Sequence, residues 1–381
     1  MRLVLSDNSF RINGIPYDGF PIILDDDLKI VEDTHWFLID HCIKRGRVNS
    51  KGSWHRYGKD LYDFFGFVIT NDFNWKAERR VGVPSVVESY RDWSLNECGL
   101  KSSTINQRLR TIVLFYRWAL KNRIIRSVPF ESEAVFVRKH NHFFQHIDSN
   151  ANRSESADIL LTEKQEPIQF LTQDQVKACL NAIDNPTHRL LLRLPLQTGL
   201  RSEEFRTFPL SYVVSPTSNL DGQLSNHNVV LCRPEEMRLK GSKPRKIHIP
   251  RLLMGDLWEY SVLERVKRFK LNKSLPGELF LTRVGNPYSA SAIKRVYQTV
   301  SDKVGFRVTP HMLRHTYATY TLHGLRERGY KGDALLYLRD RLGHSSVTTT
   351  QRYLHLVEEI DADLMIVFEE EVNALFMEVE A

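Results

Sequence analysis

Six side chains in this chain could together open a phosphodiester without a metal: Arg201, Lys240, His311, Arg314, His344 and Tyr353. They lie in TGLRSEEF (198–205), LKGSKPRK (239–246), HMLRHTYAT (311–319) and LGHSSVTTTQRY (342–353). Two guanidiniums, Arg201 and Arg314, can each present a planar fork to non-bridging phosphate oxygens and neutralise the charge that grows on a phosphorane. A phenol such as Tyr353 is a weak nucleophile at its free pKa of about 10, so it needs cationic neighbours or a base. His311 and His344 suit that need, because imidazole charge is adjustable near neutral pH. The departing sugar oxygen needs a proton, and Lys240 is a natural donor.

Local sequence is consistent with a built site. Thr309 can cap a helix with Pro310 at its first position, so His311 and Arg314, three apart, project from one face at the positive helix end. The stretch from Asn228 to Pro250 reads as a hairpin, VVLCR, a polar turn through GSKP, then RKIHIP with Ile247 and Ile249 alternating. Lys240 then lies where strand meets turn. After His344, Ser or Thr can start a helix that carries Tyr353 a little over two turns further on.

In these segments the chain resembles the tyrosine recombinase, or phage integrase, family. The resemblance spans about 28–360 and is carried chiefly by 169 onward. It implies that the six residues are the catalytic set, that tyrosine attack yields a 3′-phosphotyrosyl link and a free 5′-hydroxyl, and that neither metal, ATP nor another cofactor is used. Lys243 and Lys246 share the hairpin with Lys240, but the family's lysine stands just before a glycine, as Lys240 does before Gly241. Glu204 matches an acidic position that helps hold the family's pocket; a first-turn helix acid favoured by the dipole is the other reading of it. Met312 stands where an acidic residue is common, and the segment after Arg201, SYVVSPTSNLDGQLSNH, is longer than in minimal members. The implied activity is site-specific cutting and rejoining of duplex DNA, serving integration or excision of a mobile element. A homo-tetramer would act on two DNA sites, with accessory or directionality proteins as further partners. The rival readings are a type IB topoisomerase, which shares the chemistry, and a DNA-binding accessory protein that has lost catalysis.

Composition fits a nucleic-acid partner. The chain has 381 residues, a net charge of +7 and 42% hydrophobic residues, with a pI near 9.1. No apolar run reaches membrane-span length and the N-terminus lacks the apolar core of a signal peptide, so a cytoplasmic, nucleoid-associated protein with no membrane partner is expected. Cys42, Cys98, Cys179 and Cys232 are widely spaced, which argues against disulfides and a zinc site.

The elements that must position the six residues make a mainly α protein with a small β-hairpin or sheet, an α+β class. Residues 1–27 read as a strand-and-turn extension for packing or dimer contact. Residues 28–130 read as all helical and resemble the family's core-binding domain, which with the catalytic domain implies a two-domain C-shaped clamp. Ser53 is a plausible cap for the helix in SWHRYGKDLYDFFGFV, whose buried face holds Trp54, Tyr57, Leu61, Phe64 and Phe65. In the next long helix Ile105, Leu109, Ile112, Val113, Tyr116 and Leu120 form the apolar stripe. Arg108, Arg110, Arg117 and Lys121 occupy its other faces and are candidate phosphate contacts, with Lys243 and Arg245 on the hairpin. Residues 131–168 read as a polar interdomain linker, in which His140, His142 and His146 lack a metal-ligand pattern. The catalytic domain, 169–360, opens at FLTQDQVKACL, where Thr172 and Gln175 suit a capping box. Residues 361–381 form an acidic tail with Leu364, Phe368, Val372, Leu375, Phe376 and Val379 at helical spacing, a stripe that a neighbouring protomer or its own domain would cover.

Overall fold

The computed structural model describes residues 1–46, 48, 50–80, 82–136, 153–163, 167–215, 227–270, 276–354 and 356. The chain divides into two compact units with the boundary at 165/166. The tail from 361 and the three histidines at 140, 142 and 146 lie outside the described residues.

In the first unit, β1 (Arg2–Leu5) pairs antiparallel with β4 (Pro21–Leu24), enclosing the short pair β2 (Arg11–Ile12) and β3 (Ile15–Pro16). Helix α1 (Glu32–Leu38) continues through a wide turn into α2 (Lys51–Thr70), followed by α3 (Val86–Asn96) and α4 (Ser102–Lys121). The N-terminal strands belong to the helical core: Phe20 and Ile23 are fully buried with Leu61, Phe64, Leu109, Ile112 and Tyr116. The expected stripe on α4 is buried up to Tyr116, whereas Leu120, in the last turn, is 39% exposed. Ser53 does not cap α2; the helix begins at Lys51 after Ser50, and Ser53 sits inside the first turn.

A larger difference concerns the expected linker. β5 (Ser132–Phe136) and β6 (Arg153–Ala157) form an antiparallel ribbon. Ala157 and Ile159 enter the first unit's core. The Asn106 amide clasps the Leu161 backbone in both directions, at 2.7 and 2.8 Å. Burial and hydrogen bonding thus tie the described residues up to 163 to the helical unit.

The second unit is built around α6 (Pro186–Thr198) and α11 (Pro310–Glu327), which pack on each other. Before α6 comes α5 (Gln173–Asn181), opened by the expected Thr172–Gln175 capping box, and after it the one-turn α7 (Ser202–Arg206). β7 (His227–Cys232) pairs antiparallel with β8 (Arg245–Pro250), Val230 opposite Ile247. Ile247 and Ile249 point into the core, whereas Val229 and Leu231 face out, a period-two pattern of a one-sided sheet. The chain continues through α8 (Arg251–Val262), α9 (Glu264–Phe269) and α10 (Ala290–Val304) to α11, then α12 (Ala334–Leu342) and α13 (Val347–Gln351).

Gly199 ends α6 in the left-handed conformation, φ 65°. A Cβ there would lie 2.5 Å from the Tyr317 ring and 3.0 Å from Leu342. Gly199→Ala combines left-handed strain with overpacking and should destabilise the second unit by about 2–4 kcal/mol. Calorimetry should show its transition lowered by roughly 5–15 °C.

Candidate active site

The turn Leu342–Gly343, at the end of α12, is where the two arginines meet. Arg314 lies on the first turn of α11, whose start is set by the Thr309 side chain accepting from the Met312 N–H, with Pro310 at the first position. The Arg314 side chain is 1% exposed. Its Nη1 donates to the Gly199 carbonyl and its Nη2 to the Leu342 carbonyl, both at 2.6 Å. Arg201, two residues past Gly199, donates from Nη2 to the Gly343 carbonyl at 3.2 Å. Both guanidiniums are thus held by backbone before any ligand arrives. Burial, and then the charge of Arg201, lowers the Arg314 pKa to about 9, as crowding of like charges requires.

Beneath this pair lies a buried carboxylate. Glu204 is fully buried, accepts the Arg201 backbone N–H at 2.7 Å and its Nη1 at 3.1 Å, and takes both Arg245 guanidinium nitrogens at 2.9 and 2.5 Å. Burial pushes the Glu204 carboxyl upward, but the Arg245 hydrogen bonds and charge and the Arg201 contacts outweigh it, leaving the pKa below the ordinary glutamate range. Arg245, read from sequence as a DNA contact, is 8% exposed and serves this carboxylate instead. Gly343, at φ 63°, lets it do so: a Cβ there would stand 3.0 Å from the Arg245 side chain.

The histidines are arranged differently from each other. His344 Nε2 lies 3.1 Å from Arg314 Nη2 and its Nδ1 lies 3.0 Å from the Thr350 hydroxyl. Arginine can only donate, so Nε2 accepts, Nδ1 carries the proton and both nitrogens are engaged. Burial, then Arg314 and Arg201, hold the His344 pKa down at about 3. His311 faces the cleft described below, and its pKa is lowered by burial, then by Arg314, Arg201, Lys240 and Arg352.

Tyr353 follows a five-residue α13 rather than riding a helix of more than two turns. It is 2% exposed. Burial raises its pKa against the lowering pull of Arg314, Arg352 and Arg201. Its ring lies parallel to that of His344, centroids 6.4 Å apart. The phenol oxygen meets His315 Nδ1 at 2.8 Å. His315 was not among the residues read from sequence; the signal was present in HMLRH, where His311 and His315, four apart, share a helix face.

Lys240 opens a short 3₁₀ turn, Lys240–Ser242, five residues before β8, with Gly241 at φ 77°. Its side chain is exposed. With Arg201, His311 and Arg314 it lines a cleft of about 1050 Å³ walled by α10 and the start of α11. Lys243 is exposed on the same turn. In the first unit Arg108 is engaged by Asp63, with its side chain 17% exposed, and Arg110 pairs with Glu163 at 2.8 Å while 57% exposed. Arg117 and Lys121 are exposed. Phosphate contact through Arg108 would require it to leave its carboxylate, whereas Arg110, Arg117 and Lys121 are open to solvent.

Among the described residues, no group of three His, Cys, Asp or Glu side chains is placed to hold a metal ion, and no helix is long and apolar enough to cross a membrane. The four cysteines are free, with Cys98 exposed and the others buried.

The phage integrase family model matches residues 169–359, half of the chain. Transposase A from transposon Tn554 of Staphylococcus aureus is 24% identical over 92% of this chain and 94% of its own. Tyrosine recombinase XerA of Pyrococcus horikoshii is 30% identical over 58% of this chain and 70% of its own. Among solved structures, the Tn1549 transposon integrase in complex with transposon right end DNA has a TM-score of 0.55 at 18% identity, covering 84% of this chain and 94% of that one. The XerH site-specific recombinase bound to palindromic difH substrate has a TM-score of 0.54 at 16% identity, covering 84% and 81%. A family-model match over half of the chain, with recombinases and a transposase among its relatives, means that the chain belongs to the phage integrase family, as a recombinase that breaks and rejoins DNA.

Proposed function

We propose that this recombinase cleaves duplex DNA through Tyr353, forming a 3′-phosphotyrosyl intermediate, and reseals it with no metal or ATP. The observation that supports this most is the meeting of Arg201 and Arg314 at the Leu342–Gly343 turn, with His344 between Arg314 and Thr350 and Tyr353 beside it. In this reading the two guanidiniums hold the scissile phosphate, because their fixed charges stabilise the phosphorane without reorganising, and His344 holds the Arg314 guanidinium in place. His311 adds a donor at the cleft, and Lys240, exposed on its turn, protonates the 5′ oxygen. Glu204 and Arg245 keep Arg201 in place. The energy of the broken ester stays in the protein–DNA bond, which is why no nucleotide is needed. DNA reaches the site along the basic cleft, with Lys243 and the exposed Arg110, Arg117 and Lys121 contacting backbone phosphates.

We read the biological task as integration or excision of a mobile element, by a tetramer acting on two sites. The end-to-end match to a transposase favours the mobile element. The test is a denaturing-gel search for a covalent adduct on nicked duplexes drawn from the flanks of the encoding element. An adduct on the 3′ phosphate supports the reading, and binding without adduct on a substrate that contains the recombination site removes it. Lys240→Ala should slow adduct formation by about 10²–10⁴-fold, the usual worth of a positioned general acid. Replacing the bridging 5′ oxygen by sulfur, a leaving group that needs no proton, should restore most of that loss. If sulfur restores nothing, the proton comes from elsewhere.

A further inference from the structure

We propose that His315 is a catalytic residue of this site, the proton acceptor that activates Tyr353. The inference rests on Tyr353 being the nucleophile and goes beyond it. Geometry carries it. Of the three histidines on the catalytic face, His344 has both nitrogens engaged, Nε2 by Arg314 and Nδ1 by Thr350. His311 faces the cleft and packs against the His315 ring at 4.1 Å between centroids, and it is His315 rather than His311 that meets the Tyr353 phenol. His315 alone among them has a nitrogen on the phenol, Nδ1 at 2.8 Å. That distance is within proton-transfer reach.

The placement is fixed by the fold rather than by chance contact. His315 follows Arg314 on α11, so the helix that grips the turn at Leu342 also presents the imidazole to the tyrosine. Tyr353 is held in the core with its ring parallel to that of His344, and its backbone N–H donates to the Thr350 carbonyl at 3.0 Å. Burial, then His311, Arg314, Arg352 and His344, keep the resting imidazole neutral, with a pKa of about 3. A neutral imidazole has a lone pair to offer but a weak one while cations surround it. The scissile phosphate brings negative charge into that cationic setting and raises the basicity of His315 when the substrate is in place.

The step balances. The Tyr353 Oη–H proton passes to His315 Nδ1 as the Oη–P bond forms, and the P–O5′ bond breaks with the 5′ oxygen taking a proton from Lys240. In resealing, the imidazolium returns its proton to Oη while the neutral Lys240 amine accepts the proton of the attacking 5′-hydroxyl.

The experiment compares His315 and His315→Asn in the full chain, each with tyrosine or 3,5-difluorotyrosine at position 353, in single-turnover adduct formation on the nicked duplex. The ring fluorines make the phenol a far stronger acid, so a nucleophile that ionises by itself no longer needs a base. His315→Asn should bind the duplex normally in a gel shift and cleave at least about a hundredfold more slowly. Its rate should rise with pH where the parent's has levelled. Difluorotyrosine should recover most of the loss in the Asn variant while changing the parent little. A loss that difluorotyrosine leaves untouched would make His315 structural, and no loss would remove it from the reaction; either overturns the proposal. Absence of adduct from the parent protein on a duplex carrying the recombination site overturns the tyrosine reading itself, which separates the two failures.

Discussion

Tyr353→Phe should bind its DNA as tightly as the parent and form no covalent adduct with it. The expected loss in single-turnover cleavage is at least about 10⁴-fold, since on the proposed mechanism the variant lacks the atom that attacks phosphorus. Little else should change. The ring stays in the core cluster that holds Leu342, Tyr317 and Leu356, and only the hydrogen bond between the phenol and His315 disappears. One such bond is worth about 1 kcal/mol, so the melting transition should move by a few degrees at most. Together these outcomes separate a missing nucleophile from a damaged site. An adduct that survives in Tyr353→Phe would have to be mapped by peptide mass, and would place the chemistry on another residue.

The second large effect belongs to the Glu204–Arg245 pair. Both groups are buried, and removing one leaves an uncompensated charge, a cost of about 3–5 kcal/mol when a buried pair is broken. Glu204→Ala strands two cations, Arg245 and Arg201, and should be the more damaging of the single changes. Glu204→Ala with Arg245→Met should be less unstable than the two single losses predict when added, because the more deeply buried of the two stranded cations, Arg245, is gone. The pair also sets an acid limit. The folded carboxyl has a pKa lowered below its unfolded value of about 4.3, so its stabilisation is complete above that value and fades as pH falls through the folded pKa. Urea titrations from pH 7 down to pH 3 should show a slope in the parent that Glu204→Gln lacks. Equal slopes would mean that Glu204 does not titrate with folding.

Much of this arrangement could be read from residue types and spacing, and the parts that could not have physical reasons. Thr309–Pro310 announced the start of α11 because a capping hydroxyl followed by proline is a local signal. The β8 alternation was legible because one sheet face is apolar. Arg245 was misread because a basic residue in a basic turn looks solvated; only the three-dimensional approach of α7 shows that a buried carboxylate waits for it. Tyr353 was placed on too long a helix. Three consecutive threonines, 348–350, carry β-branched side chains that stiffen χ1 and lower helix propensity, so α13 ends at Gln351. The ribbon of 132–136 with 153–157 escaped notice because RSESA has no apolar face to reveal a strand period. His315 was passed over since a second histidine on a helix is commonplace, and its partner lies 38 residues away in sequence.

Arg314 is a bolt as well as a charge: through the Gly199 and Leu342 carbonyls it fastens the end of α6 to the end of α12. Inactivation by mutation is therefore unevenly tolerated along this gene. A copy that loses the Tyr353 hydroxyl should still fold and occupy DNA, competing with active copies for the same sites. A copy that loses Arg314 should unfasten its own core, fail to accumulate and interfere with nothing. Long-lived silent derivatives of this protein should therefore carry changes at the tyrosine far more often than at the arginine.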